Sequence, residues 1–406
     1  MHPSLAQKQA LSLDSADPLV HYRSHFYIPK GVLYLDGNSL GLLSREAEAS
    51  VHTLLEEWKA HAINGWFEKG WLHYAEEMAS LMAPLLGAKP EEVMATGSTT
   101  VNLHQLLATL YDPTAERGCI LTEPCAFPST AYALQSHLRL HRKDPKTHLR
   151  MVPFLSEHCL DESQIIACMT DEIQIVILSS ILYKSGQLLD IPRLTQEAHR
   201  RGILIGFDCA HSVGSIPHQF DTWGVDFAFW CHYKHLNAGP GAVGGLFLNE
   251  RHFGRTPGLA GWFGNRRETQ FEMGLEFEPE WGAGGLQIGT PHLLSLAPLR
   301  GSLALFQEAG IDAIRAKSLA LTTFLRELFA DIPEIENITP LEDSRRGGHI
   351  SYRHPNAKQI TAQLKERGVV IDFRPPNLLR FAPVALYNTF QECYETAQIL
   401  KDLLHS

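Results

Sequence analysis

The sequence predicts an α/β protein with a largely parallel sheet, completed by a smaller α+β unit. Between residues 93 and 248, short apolar runs alternate with stretches whose apolar residues recur at helical spacing. That alternation is typical of a parallel sheet with helices on both faces. After Pro298 the pattern changes to a long helical region followed by short strands. A chain of 406 residues also exceeds the usual size of a single core, so we expect more than one domain.

The spacing of the apolar residues predicts the individual elements. The predicted strands of the first unit are Cys119–Thr122, Ile173–Leu178, Ile203–Phe207, Phe227–Cys231 and Val243–Leu248. The predicted helices are Glu46–Ala62, Tyr74–Leu86, Val101–Leu110, Ser129–Leu140 and Ile191–Arg201. In the second unit, a helical region Leu299–Ala330 precedes Ile350–Tyr352, a helix Ala357–Arg367, Val369–Phe373 and Leu378–Ala382.

The changes of pattern divide the chain into three expected segments. About the first 30 residues are polar and poorly patterned, and they predict an arm. Residues 1–60 are expected to form this arm and part of the small domain, residues 61–298 the large domain, and residues 299–406 the C-terminal small domain.

Composition and charge exclude several classes of protein. The formal charge of −10 repels nucleic-acid phosphates, so we expect no nucleic-acid partner. No apolar run reaches the roughly 18 residues of a membrane helix, and Met1–Asp17 has no apolar signal region. The cysteines form no C-x-x-C pair and are odd in number, so we expect no metal site and no disulfide framework. This cysteine usage predicts a reducing compartment, and we therefore expect a cytoplasmic location. They are Cys119, Cys125, Cys159, Cys168, Cys209, Cys231 and Cys393.

Two successive predicted strands end in residues of opposite charge. Asp208 follows Ile203–Phe207, and Lys234 follows Phe227–Cys231 before the glycine-rich segment Asn237–Gly241. Alone, such an aspartate is most often a turn or cap residue, and such a lysine is a solvated strand end. Together they would meet at the carboxyl edge of the sheet, where ligands bind in this architecture. An amine for a Schiff base and a carboxylate for a protonated pyridine nitrogen are what pyridoxal phosphate (PLP) chemistry requires.

A phosphate group would need backbone donors at the start of a helix. The segment Ala95–Asn102 offers small and hydroxyl residues followed by a helical pattern, which suits phosphate binding at a helix N-terminus. The same Gly-Ser-Thr-Thr pattern is also an ordinary N-cap. Phe127 could stack on the cofactor ring or could be a core aromatic residue.

With these residues in place, the sequence resembles the kynureninase family, which are fold-type I PLP enzymes of the aminotransferase class V group. The resemblance extends along nearly the whole chain after the predicted arm, and it rests on the number and order of the motifs. The most specific stretch is Phe207–Gly241, which contains Asp208, His211, Tyr233 and Lys234. The other matching segments are Tyr34–Gly41, Thr100–His104, Ser185–Ile191, Gly261–Gly264 and Arg380–Asn388.

The resemblance implies a mostly parallel, seven-stranded type of sheet in a PLP-binding large domain, and generally a homodimer. It makes Lys234 the Schiff-base lysine and Asp208 the partner of the pyridine nitrogen. Arg380 should hold the substrate α-carboxylate, with Ser39 nearby, because a planar guanidinium can bind both oxygens. The other residues implied at the cofactor are Thr99, Thr100, Phe127, Ser129, Thr130, Ser180, His211, Tyr233, Trp262 and Thr290, with Trp262 reaching from a neighbouring subunit.

Two positions depart from the family pattern. Family members usually carry Asp where this chain has Thr130, and some carry Asn where it has Thr290. Thr290 can still donate a hydrogen bond to phosphate. Thr130 removes a carboxylate near the cofactor, which puts the fine tuning of the site in doubt but not the cofactor itself.

The implied reaction is the hydrolytic cleavage of the Cβ–Cγ bond of L-kynurenine or 3-hydroxykynurenine in tryptophan breakdown. The products are L-alanine and anthranilate or its 3-hydroxy form. Lys234 would remove the Cα proton, and Tyr233 is a candidate proton donor that could instead be only a phosphate ligand. The aryl group needs an apolar pocket, for which Trp66, Phe67, Trp71 and His73 are candidates, although they fit core or interface positions at least as well.

Rival enzyme functions stay open at this point. A cysteine desulfurase or a small-molecule aminotransferase would also use PLP, but a desulfurase needs an exposed nucleophilic cysteine on a mobile loop. Here Cys393 falls in a predicted helix, and Cys209 and Cys231 fall in or beside predicted buried strands. A kynureninase-like lyase that acts on a modified substrate remains open because of Thr130.

A binding or regulatory protein without catalysis is a rival of a different class. The intact Lys234, Asp208 and Arg380 argue against it, because a site that has lost its activity tends to lose one of these residues. Similarity of fold alone would not decide between these functions.

Overall fold

The computed structural model describes residues 3–154 and 158–405 of the chain. Its helices are α1 Pro3–Ser15, α2 Arg45–His61, α3 Gly65–Glu68, α4 Tyr74–Leu86, α5 Thr99–Leu110, α6 Pro128–Leu140, α7 Pro145–His148, α8 Glu162–Ala167, α9 Ile191–Arg200, α10 Phe220–Trp223, α11 Leu293–Ala309, α12 Ile311–Phe329, α13 Ala357–Glu366 and α14 Phe390–His405. Its strands are β1 Leu33–Tyr34, β2 Val93–Thr96, β3 Cys119–Thr122, β4 Leu149–Met151, β5 Ile173–Ser179, β6 Leu204–Asp208, β7 Phe227–Cys231, β8 Gly244–Leu248, β9 Glu336–Asn337, β10 Ile350–Arg353, β11 Val369–Val370, β12 Asp372–Arg374 and β13 Leu378–Phe381.

The largest sheet of the described residues has seven strands in the order β2-β8-β7-β6-β5-β3-β4. Five neighbouring strands, β7, β6, β5, β3 and β4, run parallel to one another. In this sheet only β8 runs antiparallel to its neighbours β2 and β7. Helices flank this sheet, which confirms the predicted α/β class. The middle strands are buried along nearly their whole length, and so their sequences are continuous apolar runs.

Short-range signals in the sequence set where the helices begin. The Ser44 hydroxyl accepts a hydrogen bond from the Ala47 N–H at 3.1 Å and caps α2, and the Asp190 carboxylate caps α9 through the Arg193 N–H at 3.1 Å. Pro128 occupies the first turn of α6, where the missing N–H costs no hydrogen bond. These caps place the predicted helices to within one or two residues of their observed starts.

A second core lies on a four-stranded antiparallel sheet with the order β12-β13-β10-β9. Apolar residues of α1, α12, α13 and α14 pack in this core, whereas those of α2, α4 and α11 pack with the large sheet. The N-terminal segment joins the C-terminal unit, because β1 pairs in parallel with β11. The small unit is therefore built from both ends of the chain.

Two features of the local structure were not predicted. The predicted N-terminal arm contains α1, whose Ala6 and Ala10 are buried against the C-terminal unit; Met1 and His2 lie outside the described residues. Its weak pattern reflects a helix that buries small alanines rather than large apolar side chains. The region Leu299–Ala330 is interrupted at Gly310, whose φ of +76° ends α11 before α12 begins.

The predicted domain limits stay a prediction. The boundary at 298/299 falls inside α11, where Pro298 is accommodated within the helix. Within the described part of the chain, no helix is long and apolar enough to cross a membrane.

Candidate active site

Asp208 and Lys234 lie at the carboxyl edge of the large sheet, at the ends of neighbouring strands. Asp208 is the last residue of β6 and pairs with Phe229 of β7, and Lys234 lies in the turn that follows β7. Both side chains line one cavity of about 200 Å³. The parallel pairing of β6 and β7 thus brings together the amine and the carboxylate that the sequence places on successive strands.

Two helix starts and the neighbour of Lys234 also line the cavity. The start of α5 contributes Thr99 and Thr100, and the start of α6 contributes Phe127 and Ser129. Tyr233 lies beside Lys234. All five of these residues belong to the predicted site. Other lining residues are Ser98, Ser179, Ile181, Tyr183, Ala210, His211 and Cys231.

The Asp208 carboxylate is held in place by two hydrogen bonds. The Ala210 N–H donates to Oδ1 at 3.0 Å, and the Thr130 hydroxyl donates to Oδ2 at 3.2 Å. Burial raises the pKa of Asp208, while the Ala210 N–H, the positive charge of Lys234 and the Thr130 hydroxyl oppose that rise. Thr130 therefore lies directly on the residue predicted to face the pyridine nitrogen, and it supports the charged carboxylate there.

Lys234 is surrounded by neutral and aromatic groups. Its Nζ lies 3.1 Å from His211 Nε2, and it lies 5.9 Å from the centre of the Phe127 ring and 6.0 Å from that of Tyr233. Burial lowers the pKa of Lys234, since few charges compensate the lost hydration. Burial and the charges of Lys234 and Arg380 hold the pKa of His211 well below its ordinary value. His211 is therefore a neutral imidazole that can accept a hydrogen bond from Lys234.

The start of α5 forms an anion site at the rim of the cavity. Ser98 caps the helix, and the N–H groups of its first turn have no partner within a helix. Gly244 of β8 lets the sheet approach this turn closely, because a Cβ there would lie 2.8 Å from Ser98 C and from Thr99 N. The hydroxyls of Thr99 and Thr100 add donors at the same place.

These groups fit the predicted cofactor. A phosphate suits the first turn of α5, a pyridine nitrogen suits the supported carboxylate of Asp208, and an aldehyde suits the amine of Lys234.

Arg380 lies beside the cavity rather than in its lining. It is fully buried on β13, where Nη1 donates to the Tyr183 carbonyl at 2.9 Å and Nη2 donates to the Ser39 hydroxyl at 3.3 Å. The guanidinium also forms an ion pair with Asp372 of β12. Burial lowers the pKa of Arg380 to about 10. The two residues predicted to bind substrate are thus in contact, and they connect the small unit to the cavity.

Four predicted cofactor residues do not line this cavity, and of these Thr130 contacts Asp208 through its hydroxyl. Ser180 is buried behind the cavity, where its hydroxyl donates to the Asp208 carbonyl at 3.0 Å and lies 2.8 Å from Ser212 Oγ. Trp262 and Thr290 are exposed, and the Trp262 indole N–H donates to the Gln270 carbonyl at 3.1 Å. Within one chain, Ser180 supports the end of β6, and neither Trp262 nor Thr290 contacts the cavity.

The candidates for the aryl pocket separate in the structure. Trp66 and Trp71 line an apolar groove of about 540 Å³, away from the cavity. Phe67 is exposed and packs on Phe271 at 5.7 Å between ring centres, and His73 is exposed beside another depression. We call the first of these surfaces the apolar groove; its other apolar lining residues are Leu54, Trp58, Ala62, Ile63, Pro291, Leu293 and Leu294.

Sequence reasoning missed several titratable residues around the site. Glu123 is buried against Ser179, the sheet neighbour of Asp208, and Asp372 is paired with Arg380. His235 and His349 pack against His211, at 6.3 and 5.6 Å between ring centres. Glu123 directly follows β3, so the rule that strand ends carry the site could have found it, whereas His349 and Asp372 are brought in from the small unit by tertiary structure.

The cysteines do not offer an exposed nucleophile near the cavity. Cys231 lines it but is buried, and burial raises the pKa of its thiol. Cys209 is also buried, as predicted, Cys393 is buried within α14, and Cys159 and Cys168 are only partly exposed. This placement disfavours the desulfurase alternative.

Comparison with known proteins assigns the chain to a protein family. Residues 314–400 match the family model of the kynureninase C-terminal domain. The chain is 53% identical over 403 residues to a kynureninase of Geobacillus thermodenitrificans, and the alignment covers 97% of this chain and 94% of that relative.

Solved structures share the fold of the chain. An apo cysteine desulfurase from Thermococcus onnurineus NA1 superposes with a TM-score of 0.82 at 18% identity, over 95% of this chain and 98% of that one. A mutant of C-DES with glycine covalently linked to its PLP cofactor superposes with a TM-score of 0.79 at 19% identity, over 93% and 98%. At such identities the two structures share the fold alone.

Proposed function

Because this chain belongs to the kynureninase family, we propose that it hydrolyses the Cβ–Cγ bond of L-kynurenine or 3-hydroxykynurenine with PLP held on Lys234. The products are L-alanine and anthranilate or 3-hydroxyanthranilate. The single observation that carries the proposal is the shared cavity in which Lys234 and Asp208 meet the start of α5. The family membership supplies the reaction, and this cavity supplies the residues for it.

PLP, when bound, supplies an electron-accepting ring that stabilises negative charge on the substrate carbons. Asp208 keeps the ring nitrogen protonated, because its carboxylate already has the Ala210 and Thr130 donors that favour the charged form. Thr99, Thr100 and the first-turn N–H groups of α5 hold the phosphate. Phe127, whose ring centre lies 5.9 Å from Lys234 Nζ, would stack on one face of the ring.

Lys234 acts as the base at the substrate Cα. When its Nζ is not bonded to the cofactor, Lys234 would accept a proton from the substrate Cα, because burial already favours the neutral amine. His211 orients this nitrogen through the contact of 3.1 Å. Tyr233 is the proposed proton donor to the product carbon, since burial raises the pKa of its hydroxyl and keeps it protonated.

Arg380 binds the substrate α-carboxylate, which fixes the Cα–H bond toward Lys234. Its donors are already shared among Tyr183, Ser39 and Asp372, so a substrate carboxylate would replace the long contact to Ser39 at 3.3 Å most easily. Ser39 then remains within reach of the same carboxylate.

The protein acts as a homodimer in this proposal. Trp262 and Thr290 are exposed in one chain and are implied at the cofactor, so they would serve the cavity of a second copy. The apolar groove adjoins Thr290 through Pro291, and its exposed Trp58 and Ile63 are poorly suited to contact with water. A partner subunit would cover this surface and complete the aryl pocket.

The proposal is tested by mixing the protein and PLP with L-kynurenine and following anthranilate fluorescence. We expect product from the wild type, and a loss of about 10³-fold or more in Lys234→Ala, because both the covalent attachment and the base are removed. A wild type that binds PLP and releases no anthranilate would exclude kynurenine, and 3-hydroxykynurenine and other aryl amino ketones would follow. No turnover of any of these would leave the non-catalytic alternative.

A further inference from the structure

A second buried carboxyl group contacts Ser179 of the cavity lining. Glu123 directly follows β3 and is 1% exposed. Its Oε1 accepts hydrogen bonds from the Ser179 N–H at 3.0 Å and from the Ser179 hydroxyl at 2.6 Å, whereas its Oε2 is buried with no hydrogen-bond partner among the described residues. A buried carboxylate with one oxygen unpaired is costly, so the group is better satisfied as a neutral acid.

Among the described residues, the groups that act most strongly on Glu123 include no cation. Burial raises the pKa of Glu123 to about 7, Ser179 opposes that rise through both of its donors, and the negative charge of Asp208 adds to it. The Cys125 thiol, in the same turn, also interacts with Glu123, and burial keeps this thiol protonated. Asp208 is thus the charged group that Glu123 faces.

Ser179 connects Glu123 to Asp208. It is the last residue of β5, it pairs with Asp208 of β6 in the sheet, and it lines the cavity. The two carboxyl groups therefore lie at the ends of strands on either side of β5, in a region from which water is largely excluded. A charge on one of them changes the energy of a charge on the other.

We propose that Glu123 is a positioning residue that acts on the cofactor through Ser179 and Asp208: it is neutral at low pH, and it adds a second negative charge beside Asp208 when it ionises. This inference rests on the proposed function, because it requires PLP on Lys234. Ionised Glu123 would attract the positive charge of the protonated cofactor. The cofactor should then keep its proton to a higher pH than it would beside a neutral group.

The test is a pH titration of the visible absorbance of PLP in the holoenzyme. Glu123→Gln keeps the size and an acceptor for Ser179 but cannot ionise, so we expect the midpoint to fall by about half a pH unit or more. Ser179→Ala removes one donor to the ionised carboxylate, which should move the ionisation of Glu123 to higher pH. Infrared difference spectra of the holoenzyme between pH 6 and 8 should show the carbonyl band of a protonated carboxyl that Glu123→Gln lacks.

Glu92→Gln is the matched control. Glu92 is also a fully buried carboxyl, and it accepts hydrogen bonds from the N–H groups of Lys89 and Glu250. It precedes β2 and so lies at the opposite edge of the sheet. Its substitution should leave the midpoint unchanged.

The outcomes separate the inference from the proposed function. Equal midpoints in the wild type, Glu123→Gln and Glu92→Gln, with no carboxyl band assigned to Glu123, would overturn the inference while leaving a PLP enzyme in place. A wild type that forms no PLP absorbance dependent on Lys234 would overturn the proposed function first. If Glu123→Gln does not fold, the band and its shift to higher pH in Ser179→Ala decide the question.

Discussion

The cavity at the sheet edge and the apolar groove differ in how far one chain completes them. In the cavity, Asp208 has two hydrogen-bond donors, Lys234 has His211 at 3.1 Å, and the start of α5 offers its donors to an anion. In the apolar groove, Trp58 and Ile63 are 58% and 70% exposed and have no such partners in place. The residues at the cofactor end of the site are therefore held in place within one chain. The surface proposed to complete the aryl end is exposed in one chain.

This difference has a physical origin. Polar groups at the cavity need fixed partners because they are buried, and the strands and α5 supply those partners from the backbone. Apolar side chains in the groove need only another apolar surface, which a partner chain can supply without specific hydrogen bonds. Changes in the cavity should then affect chemistry, and changes in the groove should affect association.

The largest expected effect is that of Asp208→Asn. The amide preserves the shape but cannot hold a positive charge on the ring nitrogen, so we expect kcat to fall by about 10²- to 10³-fold. Steady-state kinetics with anthranilate fluorescence measures this loss, and sedimentation should show an unchanged oligomer. A variant with kcat within tenfold of the wild type would mean that the carboxylate charge is not needed.

The next effect concerns stability and pH. The pKa of Glu123 in the folded protein, about 7, is raised above its ordinary value of 4.5, so the folded state holds this proton more tightly than the unfolded state does. The associated stability is complete below about pH 4.5 and is lost as the pH rises toward 7, by about 3 kcal/mol. Unfolding of the wild type and of Glu123→Gln, followed over this pH range, should show that loss only in the wild type. Parallel pH profiles of the two proteins would contradict the raised pKa.

The smallest expected effect tests the groove. Ile63→Lys places a charge on the proposed subunit interface, and we expect the dissociation constant of the dimer to rise by about tenfold or more, because the charge must be desolvated on association. Leu140→Lys is the matched control, since Leu140 is 74% exposed and lies outside the groove. Sedimentation velocity across a concentration series measures both variants. Equal dissociation constants would place the interface elsewhere.

Much of the fold was predictable because local signals and apolar runs agree. The strands around Asp208 and Lys234, the helix after Ser98 and the helix Tyr74–Leu86 were found from spacing and caps alone. The helix α1 was missed because its buried residues include the small Ala6 and Ala10, which produce little contrast with polar neighbours. The break at Gly310 was missed because both flanking segments are good helices.

The sequence by itself determined the α/β class, the strand ends that carry Asp208 and Lys234, and the likeness to a family. Strand ends are local features, since an apolar run and the polar residue after it are adjacent in the chain. Tertiary structure alone places Glu123 against Ser179 beside Asp208, shares Arg380 between Asp372 and Ser39, and leaves Trp262 exposed outside the cavity of its own chain. These contacts join residues far apart in the chain, and burial shifts the pKa values of Glu123 and Arg380 in a way that their neighbours in sequence do not encode.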